Sequence, residues 1–392
     1  MLPRPESSPM VDRASGLAAH SGIMSNHITD APELPRGAYC DPTFLALEHD
    51  RLFSRQWVHV AAGFELPDAG DCRPVTVAGL PVVLVRQRDG AILAFHNVCR
   101  HRGPRLVQKP CNVRAVITCP YHGWSYGPDG TLRTTPYWSV DDGTAPEGFD
   151  QEDFGLLSVR CHVWCDQVFV CLDDNAPDFE TLAAPLITRW SHADLSLLRY
   201  GGHETYEVQA NWKLVIENYL DTYHLPFLHP QLGPLDTAKD FEVLDDGALM
   251  GIHYFHGAAD KNKGDTGFQS FPGFSEAQRA SQDIALLFPN TLFEFVPEHV
   301  MFFRVDALAP EQTRETLAFY YLGNGASDPA FAAGRQAALD AWDGVNRQDF
   351  EVLDALQAAS HSPAARNLPA PSPFWDGGTM AFRRRLLALL EP

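Results

Sequence analysis

The rhythm of apolar and polar positions along the chain changes near residue 175. Before that point, short apolar runs broken by Gly, Pro and Asp predict strands at 73–77, 81–86, 91–95, 113–118, 123–126, 159–164 and 167–172. Asp89-Gly90 lies between two of these runs and predicts a hairpin, because a two-residue turn favours residues that accept positive φ. Pro128-Asp129-Gly130 predicts a second tight turn. Upstream, 41–57 carries a helical pattern with Phe44, Leu45, Leu52 and Phe53 on its apolar side. Residues 1–35 show little periodicity and are expected to form a partly disordered tail.

Beyond residue 175 the texture is mixed. Residues 175–195 read as a helical linker. Strands are predicted at 200–207, 241–244, 248–254, 292–295, 300–307 and 316–322, and helices at 211–224, 329–358 and 380–390. The polar stretch 255–283, with its Gly and Lys residues, reads as a loop or mobile lid. Strands followed by helices imply an α+β second domain. A chain of 392 residues exceeds one ordinary core. The expected division is a tail and the start of the helical region at 1–45, a small all-β domain at 46–175, and a larger domain at 176–392.

Composition narrows the function classes. The formal charge of -20 argues against nucleic acid and anionic membranes as partners. The N-terminus lacks the apolar core of a secretory signal, and no uninterrupted apolar run is long enough to span a bilayer. The eight cysteines, at 40, 72, 99, 111, 119, 161, 165 and 171, are too sparse for a disulfide scaffold. A cytoplasmic location with a few cysteines held for a metal is the expectation.

Two loops carry the first candidate site. Cys99-Arg100-His101 and Cys119-Pro120-Tyr121-His122 each supply one thiolate and one imidazole, with seventeen residues between the two segments. Such a donor set suits a pair of irons, the thiolates on one and the imidazoles on the other. Neutral imidazoles remove negative charge and raise the reduction potential above that of an all-cysteine cluster. Zinc fingers pair their cysteines in one segment and their histidines in another, which makes zinc the lesser alternative. Cys161 and Cys165 flank His162 and Trp164 without a partner motif and read as strand packing; Cys111 also reads as structural.

The second candidate site lies in 211–230. Placed on a helix, Glu217, Asp221 and His224 share one face by their spacing. Pro226 should end or kink that helix just beyond His224, so that His229 can turn back toward it. Two imidazoles and one carboxylate form a facial triad that leaves open positions on a ferrous ion. No H-E-x-x-H segment is present, so a zinc protease is not supported.

These segments read N-x-C-R-H-R-G, then C-P-Y-H-G-W-x-Y-x-x-D-G, then N-W-K-x-x-x-E-N-x-x-D-x-Y-H-x-x-x-x-H. The combination closely resembles the Rieske non-haem iron aromatic-ring-hydroxylating oxygenase family, in its alpha (oxygenase) subunit. Within it, the chain is similar to the shorter single-component type of choline/betaine and aromatic-acid monooxygenases. The resemblance implies a small all-β Rieske [2Fe-2S] domain plus a larger helix-grip-like antiparallel-sheet catalytic domain with covering helices. It implies that Cys99 and Cys119 bind one cluster iron and His101 and His122 the other, with Trp124 shielding the cluster. It also implies a mononuclear Fe(II) held by His224, His229 and an Asp on a late helix. Asp349 is the residue chosen, in a helix that runs on to Gln357, with Asp343, Glu351 and Asp354 as rivals.

The resemblance further implies a head-to-tail homotrimer. In it Asp221 would bridge His224 of its own chain and His122 of the next. Electrons would come from NAD(P)H through a ferredoxin or a flavin-containing reductase, and O₂ would be the co-substrate. The favoured substrate is a small organic, aromatic molecule; a quaternary ammonium compound of the betaine, choline or carnitine kind is the alternative. Some ammonium-demethylating members carry Glu at the bridging position, where this chain has Asp221. An electron carrier without oxygenase activity is the reading from another class. Candidate pocket residues are Tyr219, Phe227, Phe288, Asn290, Phe293, Phe295, Phe302 and Phe303, most of them expected to be core. Arg100, Arg102, Arg105, Lys109 and Arg114 form a local basic stretch, read either as steering an acidic partner or as pairing within the trimer.

Overall fold

Short β-branched and aromatic runs in the first half need neighbours to satisfy their backbone groups, and they find them in two sheets. The computed structural model describes residues 32–35, 37–138, 148–232, 241–255, 267–365 and 371–390. Most of the expected tail, and 256–266 of the expected lid, lie outside the described residues. The first described helix, α1 (Pro42–Glu48), starts where the Asp41 carboxylate accepts the Thr43 N–H at 2.8 Å. A π-helical turn, His49–Phe53, continues it, so the helical region ends before residue 57.

The strands that follow are β1 (Val58–Ala62), β2 (Asp71–Val77), β3 (Leu80–Arg86), β4 (Ile92–His96), β5 (Cys111–Asn112), β6 (Ile117–Thr118), β7 (Ser125–Tyr126), β8 (Leu132–Thr134), β9 (Ser158–Trp164) and β10 (Gln167–Cys171). Seven of them form one sheet in the order β1-β10-β9-β4-β3-β2-β5, while β6-β7-β8 form a separate small sheet. The hairpin between β3 and β4 turns at Gly90, whose φ of 90° a side chain would resist. β1 has no counterpart in the sequence reading, because residues 58–62 run on directly from the helical pattern and all five are buried.

Helices α2 (Phe179–Leu182) and α3 (Ala184–Arg189) join this part to the second. There the elements are β11 (Leu198–Val208), α4 (Trp212–Leu220), α5 (Leu225–Leu228), β12 (Phe241–Asp246), β13 (Leu249–Phe255), α6 (Glu276–Arg279), β14 (Ser281–Leu287), β15 (Thr291–Val296), β16 (His299–Ala309), β17 (Gln312–Leu322), α7 (Ala332–Ser360) and α8 (Gly377–Leu390). The strands make one antiparallel sheet in the order β11-β17-β16-β15-β14-β13-β12. α6 and the start of β14 correct the reading of 255–283 as a loop or lid. β14 opens on the polar Ser281-Gln282-Asp283, which hides it from a hydrophobicity pattern; it exists because β13 and β15 flank it and pair with it.

Residues directly opposite in an antiparallel pair share a face. Phe293 pairs with Phe302, and both point to the same side as Phe295. That side packs on Trp164 and Trp190, with ring centroids 4.4 to 6.1 Å apart. The opposite face carries Met301, Phe303, Glu294 and Glu315, and there Phe303 meets Tyr219 of α4 at 5.4 Å and Trp342 of α7 at 5.7 Å. Each such aromatic contact contributes about 1 kcal/mol beyond its buried area. Among the described residues no helix is long and apolar enough to cross a membrane.

Candidate metal centres

The two Cys/His loops close in the same way. Cys99 donates its N–H to the Pro104 carbonyl and accepts the Gly103 N–H, both at 3.0 Å. Cys119 likewise donates to the Trp124 carbonyl at 2.7 Å and accepts the Gly123 N–H at 3.1 Å. Both glycines have φ between 74° and 85°, the left-handed conformation that lets a loop double back within five residues. This closure explains why a glycine follows each ligand segment. Asn97 pins the first loop, donating to the Val107 carbonyl at 2.7 Å and accepting from the Leu106 and Val107 N–H groups.

His101 and His122 face each other with ring centroids 4.7 Å apart, and Trp124 stacks flat on His101 at 4.8 Å. Burial, then the charges of His122 and Arg102, lower the His101 pKa and so favour the neutral imidazole. Burial raises the Cys119 thiol pKa, against nearby backbone N–H groups that lower it. The Tyr126 hydroxyl sits 3.3 Å from Cys99 Sγ and accepts the Arg100 N–H at 2.9 Å. His101 Nδ1 is buried without a hydrogen-bond partner among the described residues. A polar atom left so costs roughly 1–3 kcal/mol. A neutral imidazole with an unclaimed ring nitrogen, beside two buried thiols, fits a cluster with thiolates on one iron and imidazoles on the other.

The second site departs from the helix expected over 211–224. α4 ends at Leu220, and Asp221 leaves it in an extended conformation. Its Oδ1 then accepts the Tyr223 N–H at 2.7 Å, which starts a turn. Pro226 does not terminate anything: it stands in the first turn of α5, where a missing N–H costs little. Glu217 also departs from the shared face. Tyr39 and Arg383 hold its carboxylate at 2.8 Å, away from the histidines. Below it, the fully buried Lys213 pairs with Glu48 at 2.6 Å, and Trp212 donates to the same carboxylate.

His224, His229 and Asp349 come together, each offering a ligand atom within 4.8 Å of the others. His229 Nε2 lies 3.1 Å from Asp349 Oδ1, and His224 Nε2 lies 3.6 Å from the same oxygen. Both Nδ1 atoms are held from behind, that of His224 by Asp221 Oδ2 at 3.1 Å and that of His229 by Gln348 Oε1 at 2.7 Å. Burial would lower the His229 pKa, but the Asp349 and Gln348 acceptors and the Asp349 charge outweigh it and raise the value. The pocket therefore draws a positive charge toward Asp349, and a divalent cation would take that place. Two neutral nitrogens and one carboxylate, each backed by a second residue, fit a ferrous ion.

The rivals of Asp349 lie elsewhere. Asp343 is engaged by Arg347 at 2.8 Å, and Glu351 and Asp354 are exposed. Gln357 accepts the Asn211 N–H and donates to the Tyr39 carbonyl, tying α7 to the start of α4. Several contacting residues went unread in the sequence. Asn218 donates to Asp349 Oδ1 at 3.2 Å, and Gln231 donates to Gln348 Oε1 at 2.8 Å. Asn218 stands inside the quoted N-W-K motif; nothing local marks Gln231 or Gln348.

Most of the candidate pocket residues are core rather than part of this site, as expected. Phe293, Phe295 and Phe302 lie on the far face of the sheet. Phe288 packs on Phe382, and Phe227 is 71% exposed. Asn290 staples the two parts of the chain, exchanging hydrogen bonds of 2.9 and 3.0 Å with the His59 backbone. Tyr219 and Phe303 remain, joined by Trp342. Burial pushes the Cys161 and Cys165 thiols up to about 12; Cys161 packs from β9, whereas Cys165 stands in the turn to β10 rather than on a strand.

Residues 195–391, half of the chain, match the ring hydroxylating alpha subunit (catalytic domain) family, and residues 56–142 match the Rieske [2Fe-2S] domain. The glycine betaine monooxygenase oxygenase subunit of Chromohalobacter salexigens is 35% identical over 213 residues, 54% of this chain and 46% of the relative. This chain thus spans about half the length of that relative. The chloroplastic choline monooxygenase of Spinacia oleracea is 24% identical over 352 residues, 86% of this chain and 74% of the relative. Among solved structures, the quaternary ammonium Rieske monooxygenase CntA in complex with L-carnitine superposes with a TM-score of 0.72 at 20% identity, covering 92% of this chain and 96% of that one. The last likeness is one of fold alone. With its Cys/His loops in a small β domain and its His/His/Asp group against a covered antiparallel sheet, the chain belongs to the ring hydroxylating alpha subunit family, its catalytic domain preceded by a Rieske [2Fe-2S] domain.

Proposed function

We propose that this protein is the oxygenase component of a multicomponent Rieske oxygenase and that its substrate is a quaternary ammonium compound of the betaine, carnitine or choline class. The observation that carries the oxygenase reading is the convergence of His224, His229 and Asp349 with an orienting residue behind each imidazole. The substrate class revises the aromatic preference drawn from the sequence. Its support is the run of relatives named for betaine, carnitine and choline. The site's chemistry agrees with it. The buried acids on the iron-side face are Glu294, Glu315 and Asp349, and the aromatic wall is Tyr219, Phe303 and Trp342. The buried cations nearby, Lys213 and Arg383, are engaged by Glu48 and Glu217. The ring faces of such a surface suit a cation by cation–π attraction.

When bound, the iron and the cluster supply O₂ activation and one-electron delivery. The chain's own residues position these groups. Cys99, Cys119, His101 and His122 would hold the cluster, with Trp124 covering the His101 ring. His224 and His229 would hold the iron through Nε2 and Asp349 through its carboxylate, while Asp221 and Gln348 offer acceptors that would keep each proton on Nδ1. Asp221 remains 29% exposed, able to reach a second subunit. Exposed Tyr121 and Tyr137 beside the cluster loops, and exposed Tyr223 and Phe227 beside Asp221, support a head-to-tail homotrimer in which these patches meet. The exposed Arg102, Arg105, Lys109 and Arg114 suit either an acidic ferredoxin or reductase, or acidic groups within the trimer. The boundary between the two functional parts is placed near residue 175.

The test is electron paramagnetic resonance of anaerobic, reduced protein exposed to nitric oxide, with glycine betaine, carnitine, choline or an aromatic acid added. A Rieske-type cluster signal together with a ferrous–nitrosyl signal reshaped by an ammonium compound supports the proposal. A cluster signal without any nitrosyl signal in iron-replete protein points instead to an electron carrier. Reshaping by the aromatic acid alone returns the substrate to the aromatic class.

A further inference from the structure

We propose that Gln231 and Gln348 form a tautomer lock on His229, deciding which ring nitrogen is free to bind metal. The proposal rests on His224, His229 and Asp349 being an iron site. A neutral imidazole has one N–H and one lone pair. Metal binding at Nε2 requires the proton on Nδ1, and so requires an acceptor facing Nδ1. For His224 that acceptor is the Asp221 carboxylate, which accepts in either orientation. For His229, 1% exposed, it is an amide oxygen, Gln348 Oε1, at 2.7 Å.

An amide has a wrong way round. Rotated by half a turn, Gln348 would present its NH₂ to Nδ1, favour the proton on Nε2 and occupy the lone pair's side of the ring with hydrogen. Gln231 sets the orientation. Its Nε2 donates to the same Oε1 at 2.8 Å, so that oxygen serves two donors at once. Flipping Gln348 would set its NH₂ against the NH₂ of Gln231, a donor–donor contact that costs about 1 kcal/mol or more, and that cost disfavours the wrong tautomer. Gln348 also directly precedes Asp349 on α7, so the orienting amide and the carboxylate ligand move as one body. Gln231, in the turn Pro230–Leu232, bonds Gln348 rather than any of the three candidate ligands.

The test is a double-mutant cycle on the full-length, cluster-loaded protein, with Fe(II) titrated into the emptied mononuclear site and followed through the ferrous–nitrosyl signal. Gln231→Leu is expected to weaken Fe(II) binding by about tenfold and Gln348→Leu by up to about a hundredfold. Gln348→Glu, whose carboxylate has no wrong orientation, should bind Fe(II) at least as well as the wild type. In that background Gln231→Leu should have no effect. A general structural role for Gln231 would leave its penalty unchanged in the Gln348→Glu background, and that result overturns the lock. Wild-type affinity in Gln231→Leu alone also overturns it. Failure of the wild type to take up Fe(II) removes the iron site itself, and the lock with it.

Discussion

Arg383, near the end of the chain, donates to both oxygens of the Glu217 carboxylate at 2.8 Å, in the middle of α4. The pair is buried, and Tyr39 completes it from the N-terminal side. The two ends of the described chain thus clamp the helix that leads into the second site. Removing one partner of a buried, hydrogen-bonded ion pair leaves an uncompensated charge. Arg383→Leu should therefore lose roughly 3–5 kcal/mol in denaturant unfolding, whereas replacing Arg347, which is exposed, should leave the unfolding midpoint close to that of the wild type. Equal losses for the two variants would show that Glu217 is not held in this way.

The hydroxyl of Tyr126 points at Cys99 Sγ, and a hydrogen bond to a cluster sulfur favours the reduced, more negative state. Tyr126→Phe is expected to lower the cluster's reduction potential while leaving its cysteine and histidine ligands in place. A spectroscopic redox titration reads the shift. An unchanged or raised potential would mean that the hydroxyl does not bond the sulfur when the cluster is bound.

At the second site the ligands and the residue behind them should separate in iron binding. His224→Ala and Asp349→Ala are expected to abolish the ferrous–nitrosyl signal and leave the cluster signal intact. Asp221→Ala, which removes only the acceptor behind His224, should weaken Fe(II) binding by about 10–100-fold. Full iron affinity in Asp349→Ala would exclude it as the third ligand.

Acid sensitivity has a local source at Asp283. Burial would raise its carboxyl pKa, but His253, Arg189 and Trp190 outweigh this and hold it below the ordinary value of 3.8. A depressed folded value means that the unfolded chain binds the proton more readily. The stabilisation is therefore complete above pH 3.8 and is lost as pH falls through the folded value. Asp283→Asn should cost roughly 3 kcal/mol at neutral pH and flatten the pH dependence of unfolding below 3.8. A variant with the wild-type acid slope would place the acid-sensitive group elsewhere.

The legibility of this chain follows the range of its interactions. Cys99, His101, Cys119 and His122 were readable because each loop closes on itself within a few residues and carries its own glycine. His224 and His229 were readable from spacing, though the helix leading into them was drawn to 224 and ends at Leu220. A pattern of positions cannot show that Asp221 takes an extended conformation and that Pro226 opens a new turn. β14 was missed because its stability comes from neighbouring strands rather than from its own polar start. Which few of the candidate aromatics face the site was not readable, because alternation assigns residues to two faces without saying which face meets the helices.

By itself, the sequence determined which residue types the two candidate sites offer and the family to which the chain belongs, since residue type and loop closure are local properties. Only the tertiary structure decided which acid joins the histidines. Asp349 lies 120 positions from His229 and reaches it through the packing of α7 across α4 and the sheet. The same packing brings Gln348 behind His229 and turns Phe303, but not Phe302, toward the iron-side helices. Register and helix docking are sums of many weak contacts spread over the chain, and no short segment carries them.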